Sequence, residues 1–149
     1  MKVRRVVTGK DKEGKSIVKW DSEIDSKPAG RPGVEKVEIW ATESLPAKFT
    51  EDDPVDWDLP TSLANGSILR FSYLGPGVAK RWHFTDTIDY GIVLSGEIWM
   101  ELEKDEVHLW AGDVIIQRGT NHNWVNRGNQ VCVIAFVLIA TEGGKSTGW

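Results

Sequence analysis

The sequence predicts an all-β fold, an antiparallel sandwich or barrel, and three observations predict it. Short stretches alternate apolar and polar residues at the period of a half-buried strand. Turn signals built from Gly, Pro, Asn and Asp separate them at roughly 8–12-residue intervals. The longest apolar run, Val131 to Ala140, is apolar on both faces and must be covered on both. At 149 residues the chain suits one domain with its own core.

The elements follow in order. Val3 to Val7 reads as a first strand, Lys10 to Lys15 as a turn and Ser16 to Trp20 as its partner strand. Asp25 to Gly33 holds two prolines and two glycines and is a loop. Val34 to Thr42 alternates again. Residues 43–65 are a long irregular connection, with a short helical turn near Thr50 to Val55. From Gly66 the pattern sharpens. Strands are predicted over Ser67 to Leu74, Asp89 to Leu94, Glu97 to Glu103, Glu106 to Trp110, Val114 to Gln117, His122 to Asn126 and Val131 to Ala140. In Glu97 to Glu103, Ile98, Met100 and Leu102 share one face, and the glutamates share the other.

This divides the chain into residues 1–65, N-terminal strands and a long loop packing on the barrel or a dimer partner; residues 66–141, the barrel core; and residues 142–149, a flexible tail. The tail contains Gly-Lys-Ser, but it lacks the upstream glycine and following helix of a phosphate loop.

Charge and composition exclude some functions. A net charge of -4 argues against nucleic acid and anionic membrane, both of which reward a basic surface. No apolar run is long enough for a membrane span, and the N-terminus lacks a secretory pattern. Cys132 is the one cysteine and sits in an apolar run, so it reads as a core residue in a reducing, cytoplasmic setting. Eight tryptophans imply an aromatic-lined pocket or subunit interface.

Strand parity then groups the chemistry-bearing residues. His83 and Thr85 share a face, as do Asp89 and Gly91, and as do His122, Trp124 and Asn126. If these faces line one interior, His83, Asp89 and His122 converge beside Trp124. Two imidazoles and a carboxylate make a metal site that leaves about half of an octahedral shell open for substrate. An open shell is catalytic, whereas structural sites are closed. Tyr73, Trp82, Tyr90 and Phe136 are candidate aromatic walls. Arg70, Arg81 and Arg118 flank the same stretches, and any one reaching inward could hold a substrate carboxylate. Tyr90 or Thr85 could carry a proton. His108 reads as a surface histidine, and Trp99 as part of a covered outer sheet.

The stretches Gly75 to Asn126 resemble the two motifs of the cupin superfamily. The first motif places His-x-His, three or four residues, a glutamate, six residues and a glycine. Here His83, Thr85, Asp89 and Gly96 stand at that spacing. The second motif corresponds to Gly112, Gln117 (where proline is common), Gly119, His122 and Asn126. The chain departs at Thr85, where the family has a second histidine, and at Asp89, one methylene shorter than glutamate. The resemblance implies a jelly-roll barrel, or double-stranded β-helix, with an N-terminal strand extension. It also implies a divalent metal (Fe, Zn, Mn or Ni) on His83, Asp89 and His122, a small-molecule substrate and a back-to-back homodimer. Three functions remain open: a metal-dependent lyase or isomerase, an Fe(II) dioxygenase using the same triad, and a metal-free ligand-binding barrel.

Overall fold

The computed structural model describes residues 1–145. Eleven strands carry nearly all the regular structure: β1 Lys2–Lys10, β2 Ser16–Asp25, β3 Lys27–Pro28, β4 Val34–Thr42, β5 Ser67–Leu74, β6 Thr87–Ser95, β7 Glu97–Leu102, β8 Glu106–Trp110, β9 Val114–Arg118, β10 His122–Val125 and β11 Cys132–Ala140. The predicted helical turn is a 3-10 turn over Pro54–Asp56, started by Asp53, whose side chain accepts the Val55 N–H at 3.1 Å. The predicted strands are present; four are longer, β1, β2 and β6 by several residues and β9 by one, and the rest match or end within a residue of the prediction. The two-residue β3 had no sequence signal, because two residues are too few to show a period.

A six-stranded antiparallel sheet, in the order β3-β4-β5-β11-β6-β9, faces a three-stranded sheet, β10-β7-β8. Their inner faces bury Leu74, Val93, Ile98, Met100 and Ile134, each at most 4% exposed. Each such side chain contributes about 1.5–3 kcal/mol relative to exposure. Cys132, fully buried, belongs to this core, and burial raises its thiol to about 11, so it is an inert filler.

Close packing dictates two glycines. A Cβ on Gly91 would lie 2.9 Å from Ile115 and 3.1 Å from Phe136, which cross the same face of β6. Gly96 turns β6 into β7 with φ of +75°, a region that favours glycine.

The β1-β2 hairpin lies on the outer face of the larger sheet. Its Val3 and Ile24 pack against Val37, Ile39 and Tyr73 in a second apolar cluster. A buried ion pair fastens it. Arg5, 6% exposed, donates to Asp53 at 2.7 Å and to the Ile39 carbonyl at 3.3 Å. The Asp53 that starts the 3-10 turn therefore also ties the long loop to the hairpin. Because β4 pairs with β5 along its whole length, the barrel sheet recruits residues well before position 66.

Candidate active site

The backbone of the site is set by one short bridge. His83 lies outside the strands, yet its N–H donates to the His122 carbonyl at 3.0 Å, and the His122 N–H donates back at 2.9 Å. This pairing sets the two imidazoles side by side, with ring centroids 4.2 Å apart and planes tilted by 54°. Trp124 follows on the same face of β10, edge-on to His122 at 5.7 Å, and Phe136 of β11 is edge-on to Trp124 at the same distance. These four rings line a cavity of about 110 Å³ between the sheets.

Both imidazoles are oriented through Nδ1. That of His83 lies 3.0 Å from the Arg81 carbonyl, and that of His122 lies 2.9 Å from the Thr120 carbonyl. A carbonyl oxygen only accepts, so Nδ1 of His83 carries its proton and its lone pair sits on Nε2. The Gln117 amide packs against the same nitrogen of His122. Burial, then the neighbouring His83, lowers the His122 pKa to about 4. Burial also lowers that of His83. Both rings are neutral at neutral pH.

Asp89 stands on β6 on the cavity wall, 6% exposed. The Thr87 hydroxyl lies 2.5 Å from its Oδ1, and the Thr85 hydroxyl 3.5 Å from its Oδ2. The two hydroxyls are 2.7 Å apart. Burial raises the carboxyl pKa, and the threonine hydrogen bonds oppose that rise.

The donor set decides whether the expected metal triad fits. Among the described residues, no group of three or more His, Cys, Asp and Glu side chains is positioned to hold an ion. The structure brings His83 and His122 together but does not complete the set with Asp89. Two features of the chain account for this. Thr85, a neutral hydroxyl, occupies the position of the motif's second imidazole. Asp89 has the shorter side chain, and its oxygens are engaged by two threonines. The residues present are a pair of imidazoles, not a three-ligand centre.

Other expected residues sort by which face of the sheet they occupy. Thr85, Trp124, Phe136 and Arg70 line the cavity. Arg70 is already committed: it donates to Glu38 at 3.0 Å and to the Thr61 carbonyl at 2.9 Å. Tyr90 does not reach the site. It alternates outward from Asp89 on β6 and is 43% exposed. Tyr73 is outward too, one residue from the inward Leu74, and packs in the hairpin-covered cluster. Trp82 and Arg118 are exposed. His108 is half-buried, its ring stacked on Trp99 at 3.6 Å and 2.8 Å from a Glu97 oxygen. Trp99 is thus covered by its own chain. Ser146 to Trp149, within the predicted tail, lie outside the described residues.

Three further residues matter. Thr87 positions Asp89. Arg31, from the β3-β4 turn, lines the cavity. Asn123, fully buried, accepts the Arg81 N–H at 2.7 Å through its side-chain oxygen. Arg31 sits among glycines and proline, where composition indicates only a turn. Thr87 was legible, since it shares strand parity with Asp89.

Residues 70–139 match the Cupin domain family. The chain is 49% identical over 69 residues to Phomopsin biosynthesis cluster protein C' of Diaporthe leptostromiformis, covering 46% of this chain and 36% of that one. It is 28% identical over 131 residues to Cupin-domain-containing oxidoreductase fogC of Aspergillus ruber, covering 84% and 64%. The chain therefore spans less than two thirds of either relative's length. Its fold resembles that of the polyketide cyclase RemF from Streptomyces resistomycificus, with a TM-score of 0.55 at 18% identity over 77% of this chain and 72% of that one. No described helix is long and apolar enough to cross a membrane. Residues 70–139 are a cupin domain, and the facing sheets that carry the histidine pair are a cupin barrel.

Proposed function

We propose that the chain is an enzyme that moves a proton on a small organic molecule, in chemistry of the lyase or isomerase class. The observation that carries this is the paired, neutral imidazoles beside a buried carboxyl group in one cavity. A neutral imidazole is in its base form, and its Nε2 lone pair can accept a proton from a carbon next to a carbonyl. Asp89, whose pKa burial raises, returns a proton to another carbon or to a departing hydroxyl. Thr85 and Thr87 hold that carboxyl in place and donate hydrogen bonds to it when it ionises. Positioned acid–base groups of this kind supply roughly 10²–10⁴-fold in rate. No step is routed through an ion, because the donor set does not make a three-ligand centre.

The test is solvent exchange. A panel of enolisable keto acids and unsaturated acids is incubated with the protein in D2O and followed by NMR. Enzyme-dependent deuterium uptake is expected, falling about 100-fold or more in His122→Gln and His83→Gln. Uptake that is absent across the panel, or unchanged in both variants, rejects the proposal.

Oxidation of the same class of substrate is a second reading, favoured by the relatives named as oxidoreductases. Oxygen consumption matched to product in an oxygen electrode would support it over proton transfer.

The proposal extends to assembly as a homodimer. Ile88, Tyr90, Ile92 and Leu94 of β6 and Val114 and Ile116 of β9 form an exposed apolar row on the outer sheet, each at least 37% exposed. The row is apolar along its length, with Arg118 beside Ile88 at one end. A second copy, presenting the same row across a two-fold axis, covers it with its own kind.

A further inference from the structure

The cavity is basic in a chain that is acidic overall. Its walls carry Arg31, Lys36, Arg70 and Arg81 against one acidic side chain, Asp89, although the formal net charge of the chain is -4. Arg70 and Lys36 are compensated from behind. Glu38 meets Arg70 at 3.0 Å and Lys36 at 2.8 Å.

Arg31 is held differently. Its Nε donates to the Ala79 carbonyl at 2.6 Å, and its Nη2 to the Trp124 carbonyl at 3.0 Å and, at 3.4 Å, to the Asn123 side-chain oxygen. None of these partners is charged, and Nη1 has no hydrogen bond among the described residues. The guanidinium is thus fixed on the strand that carries His122 and Trp124, with its charge uncompensated. Arg81 is tied to the same Asn123 through its backbone N–H at 2.7 Å. Arg81 is a like charge near Arg31, and an anion bound at Arg31 reduces the repulsion between them.

We infer that Arg31 and Arg81 form the carboxylate-binding end of this pocket, and that its substrate is a small organic acid whose planar apolar body lies against Trp124 and Phe136. The inference rests on the pocket being the substrate site proposed above. The Nη1 of Arg31, whose N–H groups are not used by these contacts, offers a carboxylate a charge-assisted hydrogen bond. The only helical element among the described residues is the 3-10 turn at Pro54–Asp56. No α-helix N-terminus is there to share the higher charge of a phosphate.

Calorimetric titration with benzoate, benzamide and phenyl phosphate tests this on the whole chain. Benzoate is expected to bind at least tenfold more tightly than the neutral, isosteric benzamide. Arg31→Gln removes that preference, Arg31→Lys keeps part of it, and Arg81→Gln reduces it. Thermal melts confirm folding. Should Arg31→Gln not fold, Arg31→Lys and Arg81→Gln carry the comparison. Equal binding of benzoate and benzamide, no binding of either, tighter binding of phenyl phosphate, or a preference that survives in the folded arginine variants overturns the inference. His122→Gln retains the preference, so a failure of the acid–base chemistry is read separately from a failure of the anion site.

Discussion

His83 and His122 exchange two backbone hydrogen bonds, and their rings are held 4.2 Å apart as a result. The contact is made by main chain, from a loop residue to a strand residue. The main chain therefore holds the rings together, and His83 makes protonation of His122 harder.

Stability should fall as pH drops from 6.5 towards 4. The unfolded chain protonates an ordinary histidine near 6.5, whereas folded His122 does so only at about 4. Within that window the unfolded state binds more protons, so stability declines with falling pH. The loss is on the order of 3 kcal/mol, complete below the folded value and absent above 6.5. His83, also lowered, adds in the same direction. Asp53 acts lower down. Arg5 holds its carboxyl below 3.8, so its stabilising contribution disappears only as pH falls below that. Urea midpoints from pH 7 to 4 check this, and the slope should flatten in the His83→Gln/His122→Gln double variant. A double variant as steep as the parent would rule out the imidazoles as the cause.

Chelation should leave the fold unchanged. A resident ion bound at 100 times its dissociation constant adds about 2.7 kcal/mol to stability. Two imidazoles without a third ligand do not hold an ion that tightly. The melting temperature is therefore expected to be the same before and after dialysis against EDTA. A drop of several degrees, reversed by one particular divalent metal, would restore the three-ligand expectation.

The outer row of β6 and β9 should set the oligomeric state. Ile92→Lys with Ile116→Glu places charges in the middle of the row, at positions 37% and 52% exposed. The parent is expected to sediment as a dimer and the variant as a monomer with an unchanged circular dichroism spectrum. A monomeric parent, or a dimeric variant, contradicts the proposed interface.

Asn123 should be costly to remove. It is fully buried, accepts from Arg81 and Arg31, and donates to Glu101 at 2.9 Å. Asn123→Ala leaves those groups without their partner and is expected to cost about 1–3 kcal/mol in urea unfolding. It should also weaken benzoate binding, since both arginines lose their shared anchor. Unchanged stability and unchanged binding would show that neither arginine depends on it.

The strands were legible because their signal is local. Alternation in Glu97 to Glu103 and turns at Gly96 and Gly112 specify where the chain reverses and which side chains share a face. Parity also placed His83, Thr85, Asp89, His122 and Trp124 on one cavity wall. It failed for Tyr73, where the sequence offered no way to tell which face of β5 would be inside. Tyr90 follows Asp89 directly, and strict alternation puts the two on opposite faces.

The sequence by itself determined the strand ladder, the turns and the set of residues offered to the interior, because a two-residue period and turn chemistry act between near neighbours. Only the tertiary structure decided which of those groups meet. The bridge from His83 to His122 spans distant segments, and Asp89 takes its hydrogen bonds from Thr85 and Thr87. Arg31 comes from a turn with no periodicity, and it reaches the cavity only because β10 supplies the carbonyls that hold it. Such contacts depend on distances between strands, which no local pattern encodes.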